Sequence, residues 1–348
     1  MIQRDNETLL LVGNPSSHGG KAKKRIEKVR VLMNEMGLSH VFKSTLPNRE
    51  TVGLVADAIT KEGFRTVIYL GGDGTFYEVA TGICQSGRAS EVRLGMLPSG
   101  TANDQGKSFG ISSLPRALEE NVKTIAAGFI AYLDVGEVTA FSDDGVVMRR
   151  DLFFDSLGFG LSASILAQRN RDLEKTKSLP LINKVYKDHV VYVRAALQEL
   201  TNVLVYRDRV FSAELDIDGE VKQIDNLTDL VVKNTLIFAG DWIIDPKSKP
   251  DDGVMEVAPF FGVRDWTGKL IVNHKKFPFS IEAIQRMGLA QAGIARGRSM
   301  KIQLLRPERD EPLPAELDGE ELIAVNHYEI KVHPQLLKLI VPEHPHWI

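Results

Sequence analysis

The sequence has little cysteine, little net charge and no long apolar run, and each shortage excludes a class of protein. A single cysteine, Cys84, excludes an intramolecular disulfide framework, and its place on a predicted helix favours a small core residue over a nucleophile. A formal net charge of -3 gives no general attraction to nucleic acid or to an anionic membrane. No apolar run reaches membrane-spanning length, and the polar first residues lack the core of a signal peptide. We therefore expect a cytoplasmic protein without a transmembrane segment.

The sequence does contain enough apolar residues for one large core or two ordinary ones, at 348 residues and 43% hydrophobic. Two domains are the better expectation at that length. In the first part, predicted strands at residues 8–13, 40–44 and 67–70 alternate with predicted helices at residues 21–36 and 51–62. This alternation predicts an α/β domain with a doubly wound parallel sheet, whose ligand lies at the carboxyl ends of the strands.

The predicted strand at residues 67–70 runs into a glycine-rich turn at the start of a helix. The turn consists of Gly71, Gly72, Asp73, Gly74 and Thr75. Glycines let the backbone approach an anion, and a helix start presents free N–H groups with the positive end of the dipole. Thr75 and Glu78 have capping-box spacing, which predicts that Thr75 caps the helix. The turn is a candidate phosphate loop, with a plain strand-to-helix turn as the alternative.

A second apolar run, at residues 94–97, ends in a similar turn. The turn is formed by Pro98, Ser99 and Gly100, and it is followed by Thr101, Ala102, Asn103 and Asp104, which resemble another capping box. Two such turns could face one nucleotide, so the repetition favours binding over a plain turn. Carboxylates at Asp73 and Asp104 would be unfavourable beside phosphate unless a cation such as Mg²⁺ lay between them. For Asp104, helix capping is the alternative.

The N-terminal strand ends in a loop that begins with Asn14 and nearly matches a Walker A loop. Pro15 stands where the first glycine should be, and Ala22 where the metal-binding Ser or Thr should be, so the Walker interpretation is rejected. The basic residues that follow, including Arg25, are more typical of a solvated helix face than of a phosphate site.

From residue 130 onward the pattern changes to short β-rich runs separated by Asp-Gly turns. These turns are Asp144-Gly145, Asp218-Gly219, Asp252-Gly253 and Asp318-Gly319. Their spacing predicts a mostly antiparallel second domain. A helical stretch over about residues 162–201 interrupts it, and the apolar spacing within residues 185–200 favours a core-facing helix over a lipid-contacting one.

Together the two loops resemble the signature loops of the diacylglycerol kinase catalytic family, which includes bacterial lipid kinases and sphingosine kinases. The pair is specific, whereas the first loop alone is shared with the distantly related NAD kinases. The resemblance extends over residues 9–342 through further matches, in family order, at Asn14-Pro15, Gly82, Leu133-Asp134-Val135-Gly136, residues 156–164 and Leu317-Asp318-Gly319-Glu320.

The resemblance implies a nucleotide-binding α/β domain over residues 1–134 and a β-sandwich lipid-substrate domain over residues 135–328. It implies that the tail, about residues 329–348, packs back on the first domain and that the active site lies in a cleft between the domains. The implied activity is Mg²⁺-dependent transfer of the γ-phosphate of ATP to the hydroxyl of a lipid at a membrane surface, which the enzyme visits transiently. The acceptor lipid stays open among diacylglycerol, sphingoid bases and related alcohols, and so does a homodimer.

The resemblance also assigns roles to individual residues. Asp318 is the implied general base, supported by Glu320. The alternative for this Asp-Gly pair is a purely structural role in a hairpin turn. The implied nucleotide contacts are Asn14, Gly71, Gly72, Asp73, Gly74, Thr75, Glu78, Ser99, Gly100, Thr101 and Asn103. The implied catalytic metal network comprises Asp73, Asp104 and Asp134. A structural Mg²⁺ is implied at Asp252, with Asp251, Asp245 and Val254 as less certain ligands.

Two rival functions remain at this point. An NAD kinase would share the first loop, but the Pro98–Asp104 loop and the Asp318 motif argue against it. A catalytically weak nucleotide-binding regulator is disfavoured because the chain keeps all four acids, which are Asp73, Asp104, Asp134 and Asp318.

Overall fold

The structure, a computed structural model, describes residues 7–17, 21–100, 102–177, 210–239, 242–245, 247–262, 265–266, 294–306 and 312–343. It divides into two compact units. Unit 1 is made of the described residues of Met1–Val135, Pro250–Asp252 and Pro334–Ile348, and unit 2 of those of Gly136–Lys249 and Gly253–His333. The sequence predicted divisions after residues 134 and 328, and it did not predict that the short segment Pro250–Asp252 belongs to unit 1.

Up to the change of pattern, strands and helices alternate along the chain. They are β1 (Leu9–Gly13), α1 (Lys21–Glu35), β2 (His40–Ser44), α2 (Thr51–Thr60), β3 (Thr66–Gly71), α3 (Asp73–Gln85), β4 (Arg93–Pro98), α4 (Asp104–Ser108), α5 (Leu118–Ala127) and β5 (Phe129–Phe141). The described part of the rest is mostly strands. Its strands and its one described α-helix, α6, are β6 (Val147–Phe153), β7 (Ser156–Gly160), α6 (Leu161–Lys177), β8 (Phe211–Ile217), β9 (Glu220–Leu227), β10 (Asp229–Lys233), β11 (Ile237–Phe238), β12 (Trp242–Ile243), β13 (Met255–Phe260), β14 (Ala295–Gly297), β15 (Ser299–Leu305), β16 (Ala315–Leu317), β17 (Glu320–Leu322) and β18 (His327–Val341).

The sheet of unit 1 is parallel, as predicted. Its order is β2-β1-β3-β4, and the C-terminal part of β18 pairs in parallel with β4 through Lys338 and Leu339. β1 and nearly all of β3 and β4 are buried, as expected for strands with helices on both faces. The carboxyl ends of β1, β3 and β4 therefore lie at one edge of the sheet, and each runs directly into one of the predicted loops.

Helices α1 and α5 cover one face of this sheet. Ile26, Val29 and Met33 of α1 pack with Leu118, Val122 and Ile125 of α5 against side chains of β1, β3 and β4. A 3₁₀ turn at Pro115–Ala117 precedes helix α5, and the α-helix starts at Leu118. Proline has no backbone N–H to donate and is therefore confined to the first turn of a helical segment.

The strands of unit 2 pair antiparallel, which confirms the predicted class of the second domain. One sheet has the order β14-β13-β10-β7-β16-β17, and the other contains β9, β8, β15 and the His327–His333 part of β18. Phe159 of the first sheet meets Tyr328 of the second, with ring centroids 4.7 Å apart, and both side chains are fully buried. The two sheets thus share a core, as in a β-sandwich.

The predicted helix over residues 162–201 is described only in its first part, as α6. Residues 185–200, for which a core-facing helix was favoured, lie outside the described residues. Among the described helices, none combines the length and the apolar character needed to cross a membrane.

The Phe159 contact predicts where unit 2 is sensitive to mutation. Phe159→Ala should lower the free energy of unfolding by about 3–5 kcal/mol, because it leaves a cavity between the two sheets. Phe261→Ala is the matched control, since Phe261 is 44% exposed and its loss should change stability by less than about 0.5 kcal/mol. Urea unfolding of both variants measures the difference, and equal effects would contradict the shared core.

Candidate active site

The first glycine loop connects β3 to α3. The helix begins at Asp73, and Gly72 occupies the N-cap position without a side-chain cap. The predicted capping box is therefore wrong, because Thr75 lies inside the first turn, where its N–H bonds to Gly72 O over 3.0 Å. The Thr75 side chain instead folds back over Gly71, whose Cβ, if it had one, would lie 2.4 Å from Thr75 Oγ1.

The second loop lies against the first. Ser99 N donates to Gly71 O over 2.7 Å, and a Cβ added to Gly100 would lie 2.6 Å from Gly72 Cα. Since essentially no side-chain carbon tolerates that distance to backbone, glycine is required for the two turns to meet. The sequence prediction that both loops could face one ligand is consistent with this contact.

Asn103 closes the second loop and ties it to the first. It adopts a left-handed conformation with φ 55°, its Oδ1 accepts from Gly100 N over 2.8 Å, and its Nδ2 donates to Gly100 O over 2.7 Å. Its backbone N–H donates to Asp73 Oδ2 over 2.8 Å. Asn103 was predicted to contact the nucleotide, but in this structure its amide group holds the loop. Asp104 is the first residue of α4, and Thr101 lies outside the described residues.

The loop after β1 adds a third turn at the same edge of the sheet. Asn14 Oδ1 accepts from Ser16 N over 2.9 Å, a side-chain turn typical of asparagine. Arg25 of α1, grouped with a solvated face, instead donates to Pro98 O over 3.0 Å at the start of the second loop. Burial lowers the pKa of its guanidinium, although that group stays charged at neutral pH.

Helices α3 and α4 carry polar side chains with buried atoms that have no hydrogen-bond partner among the described residues. These side chains include Glu78, through Oε2, and Gln105, through both amide atoms. Sequence reasoning missed Gln105, whose only signal was its place directly after the second loop. An unsatisfied buried polar group costs about 1–3 kcal/mol, so these atoms are suited to a polar ligand or to water.

Asp134 joins three segments of unit 1. Its side chain is fully buried, its Oδ1 accepts from Gln335 N over 2.6 Å, and its N–H donates to Pro250 O over 2.6 Å. Gln335 Nε2 in turn donates to Asp251 O over 2.9 Å. These bonds explain why residues 250–252 belong to unit 1.

The carboxylates at the two glycine loops suit a Mg²⁺ ion that is bound by few protein ligands. Within the described ranges, no group of three or more His, Cys, Asp or Glu side chains lies close enough to hold a metal ion. Mg²⁺ usually retains water and binds one or two carboxylates together with substrate phosphates. Asp73 and Asp104, each at the start of a helix that follows a glycine loop, suit that mode, and a site built from three protein carboxylates does not.

The residues predicted to hold a structural metal have different hydrogen-bond partners in the structure. Asp245 Oδ1 accepts from Lys247 N over 2.9 Å, and its other oxygen pairs with Arg296, which also bonds to the fully buried Glu256. This arrangement favours an ion-pair role for Asp245. Asp252 is exposed and Val254 is half-buried.

In unit 2, Asp318 occupies the turn between β16 and β17. Asp318 and Gly319 have φ values of 48° and 80°, the geometry of a two-residue hairpin turn that favours Asp-Gly. The carboxylate accepts three backbone N–H groups: Oδ2 from Phe154 over 2.8 Å, and Oδ1 from Asp155 over 2.8 Å and from Ser156 over 3.0 Å. Consecutive N–H groups that converge in this way form an anion-binding nest.

The environment of Asp318 brings its titration close to neutral pH. Burial raises the pKa of Asp318 to about 7, repulsion from Asp155 adds to the rise, and the three N–H groups oppose it. A carboxylate has about four acceptor positions, so Oδ2 retains capacity for one more donor. The hairpin interpretation and the base interpretation are therefore compatible, since the same side chain shapes the turn and keeps an acceptor.

Two further buried acids surround this hairpin, and sequence reasoning missed both. Burial raises the pKa of Glu316 to about 8, with added repulsion from Asp318, Asp155 and Asp229. Burial raises the pKa of Asp229 to about 8 as well, against hydrogen bonds from Ser162. Glu320, predicted to support the base, is exposed at the start of β17. Within this hairpin, the buried acid beside Asp318 is thus Glu316.

Comparison with known proteins bears directly on the two glycine loops. Residues 8–138 match the family model of the diacylglycerol kinase catalytic domain. This part of the chain is similar to that domain. The resemblance inferred from the loops is therefore confirmed.

The similar proteins include two that are named as probable lipid kinases. The chain is 25% identical to a Pseudomonas aeruginosa protein named "Probable lipid kinase YegS-like", over 76% of each chain. It is 38% identical over 108 residues to an Escherichia coli protein named "Probable lipid kinase YegS", which is 31% of this chain and 35% of that one.

Solved structures show the same fold at low identity. A diacylglycerol kinase from Bacillus anthracis str. Sterne has a TM-score of 0.65 at 17% identity, covering 97% of both chains. Yeast NADH kinase in complex with NADH has a TM-score of 0.52 at 8% identity, covering 99% of this chain and 86% of that one.

The contact between the two glycine loops gives a first prediction for the site. Gly100→Ala should destabilise unit 1 or separate the loops, because its Cβ would lie 2.6 Å from Gly72 Cα. Gly53→Ala on α2 is the control, since nothing lies within 4 Å of its Cβ, and it should stabilise the helix by about 0.5–1 kcal/mol. Urea unfolding should give opposite signs, and a neutral Gly100→Ala would disprove the close approach.

The buried acids give a prediction on pH. Because the pKa of Glu316 is raised from 4.5 to about 8 on folding, the folded state holds its proton more tightly than the unfolded state. The contribution to stability is full below pH 4.5 and is lost as pH rises through about 8. Glu316→Gln should reduce this decline, as measured by the free energy of unfolding at a series of pH values. An unchanged slope in the variant would show that Glu316 ionises normally.

Proposed function

We propose that this protein is an ATP-dependent lipid kinase that transfers the γ-phosphate of ATP to a hydroxyl of a lipid. The observation that carries the proposal is the contact between the two glycine loops at the carboxyl ends of β3 and β4, held by Asn103 and Asp73. The match of residues 8–138 to the diacylglycerol kinase catalytic domain and the names of the relatives support the same reaction class.

The glycine loops would bind the phosphates of ATP. The first N–H groups of a helix have no partner inside the helix, and α3 begins directly after Gly72 with its dipole directed toward the loop. Gly71, Gly74, Thr75, Ser99, Gly100 and Asn14 complete the proposed set of contacts. Glu78 and Gln105 supply buried polar atoms that a bound nucleotide or its water shell would satisfy.

Asp73 and Asp104 would hold Mg²⁺. When bound, the ion neutralises charge on the phosphates as the phosphoryl group is transferred. Asp73 accepts a hydrogen bond from the N–H of Asn103, which orients its carboxylate.

Asp318 is the proposed general base that takes the proton of the lipid hydroxyl. A base works best when its pKa lies near the working pH, and burial raises the pKa of Asp318 to about 7. The three N–H groups of residues 154–156 hold the carboxylate in one orientation, and Oδ2 can accept one further donor. The proposal adopts the implication of the resemblance that Asp318 and the glycine loops serve one active site.

The proposed acceptor is a lipid with a free hydroxyl, such as a diacylglycerol, and the names of the relatives support a lipid acceptor. The protein would meet this lipid at the membrane surface through a transient contact. An apolar pocket separates acyl-chain variants by only about 1–3 kcal/mol, so the head of the lipid has to be identified by experiment.

The proposal predicts the outcome of a kinase assay with labelled ATP, Mg²⁺ and vesicles that contain extracted lipids. Label should enter a lipid product, identified by mass spectrometry, and Asp318→Asn should lower turnover by roughly 10²- to 10⁴-fold, because a hydroxyl needs a base near neutral pH. ATP binding measured by calorimetry should survive this substitution and should weaken in Asp73→Asn.

Two outcomes of that assay would contradict the proposal. Transfer of label to NAD⁺ and to no lipid would indicate an NAD kinase. Parent-like turnover of Asp318→Asn, in a variant that melts at the parent's temperature, would remove Asp318 from the role of base and leave it as a turn residue.

A further inference from the structure

A buried ion pair lies directly behind the backbone that binds Asp318. Lys233 is 1% exposed, and its ammonium pairs with the carboxylate of Asp155, which also accepts from the Thr235 hydroxyl. Lys233 Nζ makes a further bond of 3.1 Å to Thr235 Oγ1 and lies 5.9 Å from the centroid of the Phe238 ring. Burying a charge of this kind costs free energy unless the charge is fully paired, and we therefore expect the ion pair to have a specific role.

The residues next to Lys233 fix the same backbone. Asn234 N donates to Asp155 O over 2.9 Å, and Asn234 Nδ2 donates to Phe154 O over 2.9 Å. Asp318 N donates to Ser156 O over 2.9 Å from the other side. Lys233 Nζ also donates to Asp155 O over 3.4 Å. The carbonyl groups of residues 154–156 are thus held by Lys233, Asn234 and Asp318, while their N–H groups point at the Asp318 carboxylate.

Four charged or titratable groups face Asp318 or its immediate neighbours. The backbone N–H of Asp155 donates to the Asp318 carboxylate, and Glu316 lies on the same hairpin as Asp318. Asp229, which lies on β10, repels the carboxylate of Glu316. Three of these groups are acids, and among the described residues around Asp318 the buried cation of this set is Lys233. Without its charge, the Asp155 carboxylate would act on Asp318 unopposed.

We propose that Lys233 is a positioning residue that sets the pH at which Asp318 loses its proton, by neutralising Asp155 and by fixing the N–H groups of residues 154–156. The catalytic part of this inference rests on the proposed function, because it takes Asp318 as the base. Its physical part, the coupling of Lys233 and Asp155 to Asp318, holds whatever reaction the protein performs.

The charges predict shifts of opposite sign in two variants. Lys233→Met leaves Asp155 unopposed and should raise the titration midpoint of Asp318 by about one pH unit or more. Asp155→Asn leaves the ammonium of Lys233 unopposed and should lower that midpoint. Lys222→Met is the control, since Lys222 is a surface lysine of unit 2 with 58% of its side chain exposed, and it should change nothing.

The test measures the Asp318 carboxyl directly by ¹³C NMR of protein labelled at aspartate, with Asp318→Asn used to assign the signal. The acid limb of the pH–rate profile should move in the same direction as the NMR midpoint, because the base has to be deprotonated to act. Midpoints that equal the parent's in both Lys233→Met and Asp155→Asn would overturn the inference. Shifted midpoints without lipid kinase activity would leave the inference standing and refute the proposed function.

A double variant keeps the test decisive if Lys233→Met does not fold. Lys233→Met with Asp155→Asn leaves no unpaired charge from this pair, and replacing both partners of a buried ion pair is often tolerated. Asp318 should titrate at a higher pH in the double variant than in Asp155→Asn, since the two differ only in the ammonium group. Equal midpoints in these two proteins would show that Lys233 does not act on Asp318.

Discussion

The close approach of two backbones, at Gly72 and Gly100, is the constraint on which the candidate nucleotide site depends. Strands β3 and β4 are neighbours in a parallel sheet, with Gly71 paired to Pro98, so both turns leave the sheet at the same level. Only residues without a Cβ can occupy the point of contact, and hydrogen bonds from Ser99 and Asn103 hold the loops there. A site that is shaped before its ligand arrives loses less free energy on binding.

In unit 2 the main constraint is the burial of charged groups. Asp318, Glu316 and Asp229 lie in or around one hairpin, where loss of hydration disfavours their ionised carboxylates. The structure offsets this with N–H groups and with one buried ammonium, that of Lys233. Titration near neutral pH at Asp318 results from this balance and is common where a group has to exchange protons.

The periodicity of the sequence was a good guide to the elements of unit 1. The predicted strand at residues 40–44 has the bounds of β2, and the helix predicted at residues 51–62 begins where α2 does. The start of α3 was wrong because Thr75 and Glu78 satisfy a local capping rule, whereas the contact with Gly100 and the bond from Asn103 to Asp73 put Gly72 at the cap. The short-range rule was outweighed by a contact from another loop.

What the sequence alone determined was local: the alternation of apolar residues, the two glycine turns and the Asp-Gly hairpin at Asp318. These features depend on residues within a few positions of one another, so a pattern in the chain is enough to reveal them. The tertiary structure alone decided which groups surround them. Asp155 lies 163 positions from Asp318, Lys233 lies 78 from Asp155, and Gln335 lies 201 from Asp134. Contacts over such separations exist only once the strands have paired, because hydrogen bonding and desolvation depend on distance in space and not on order in the chain.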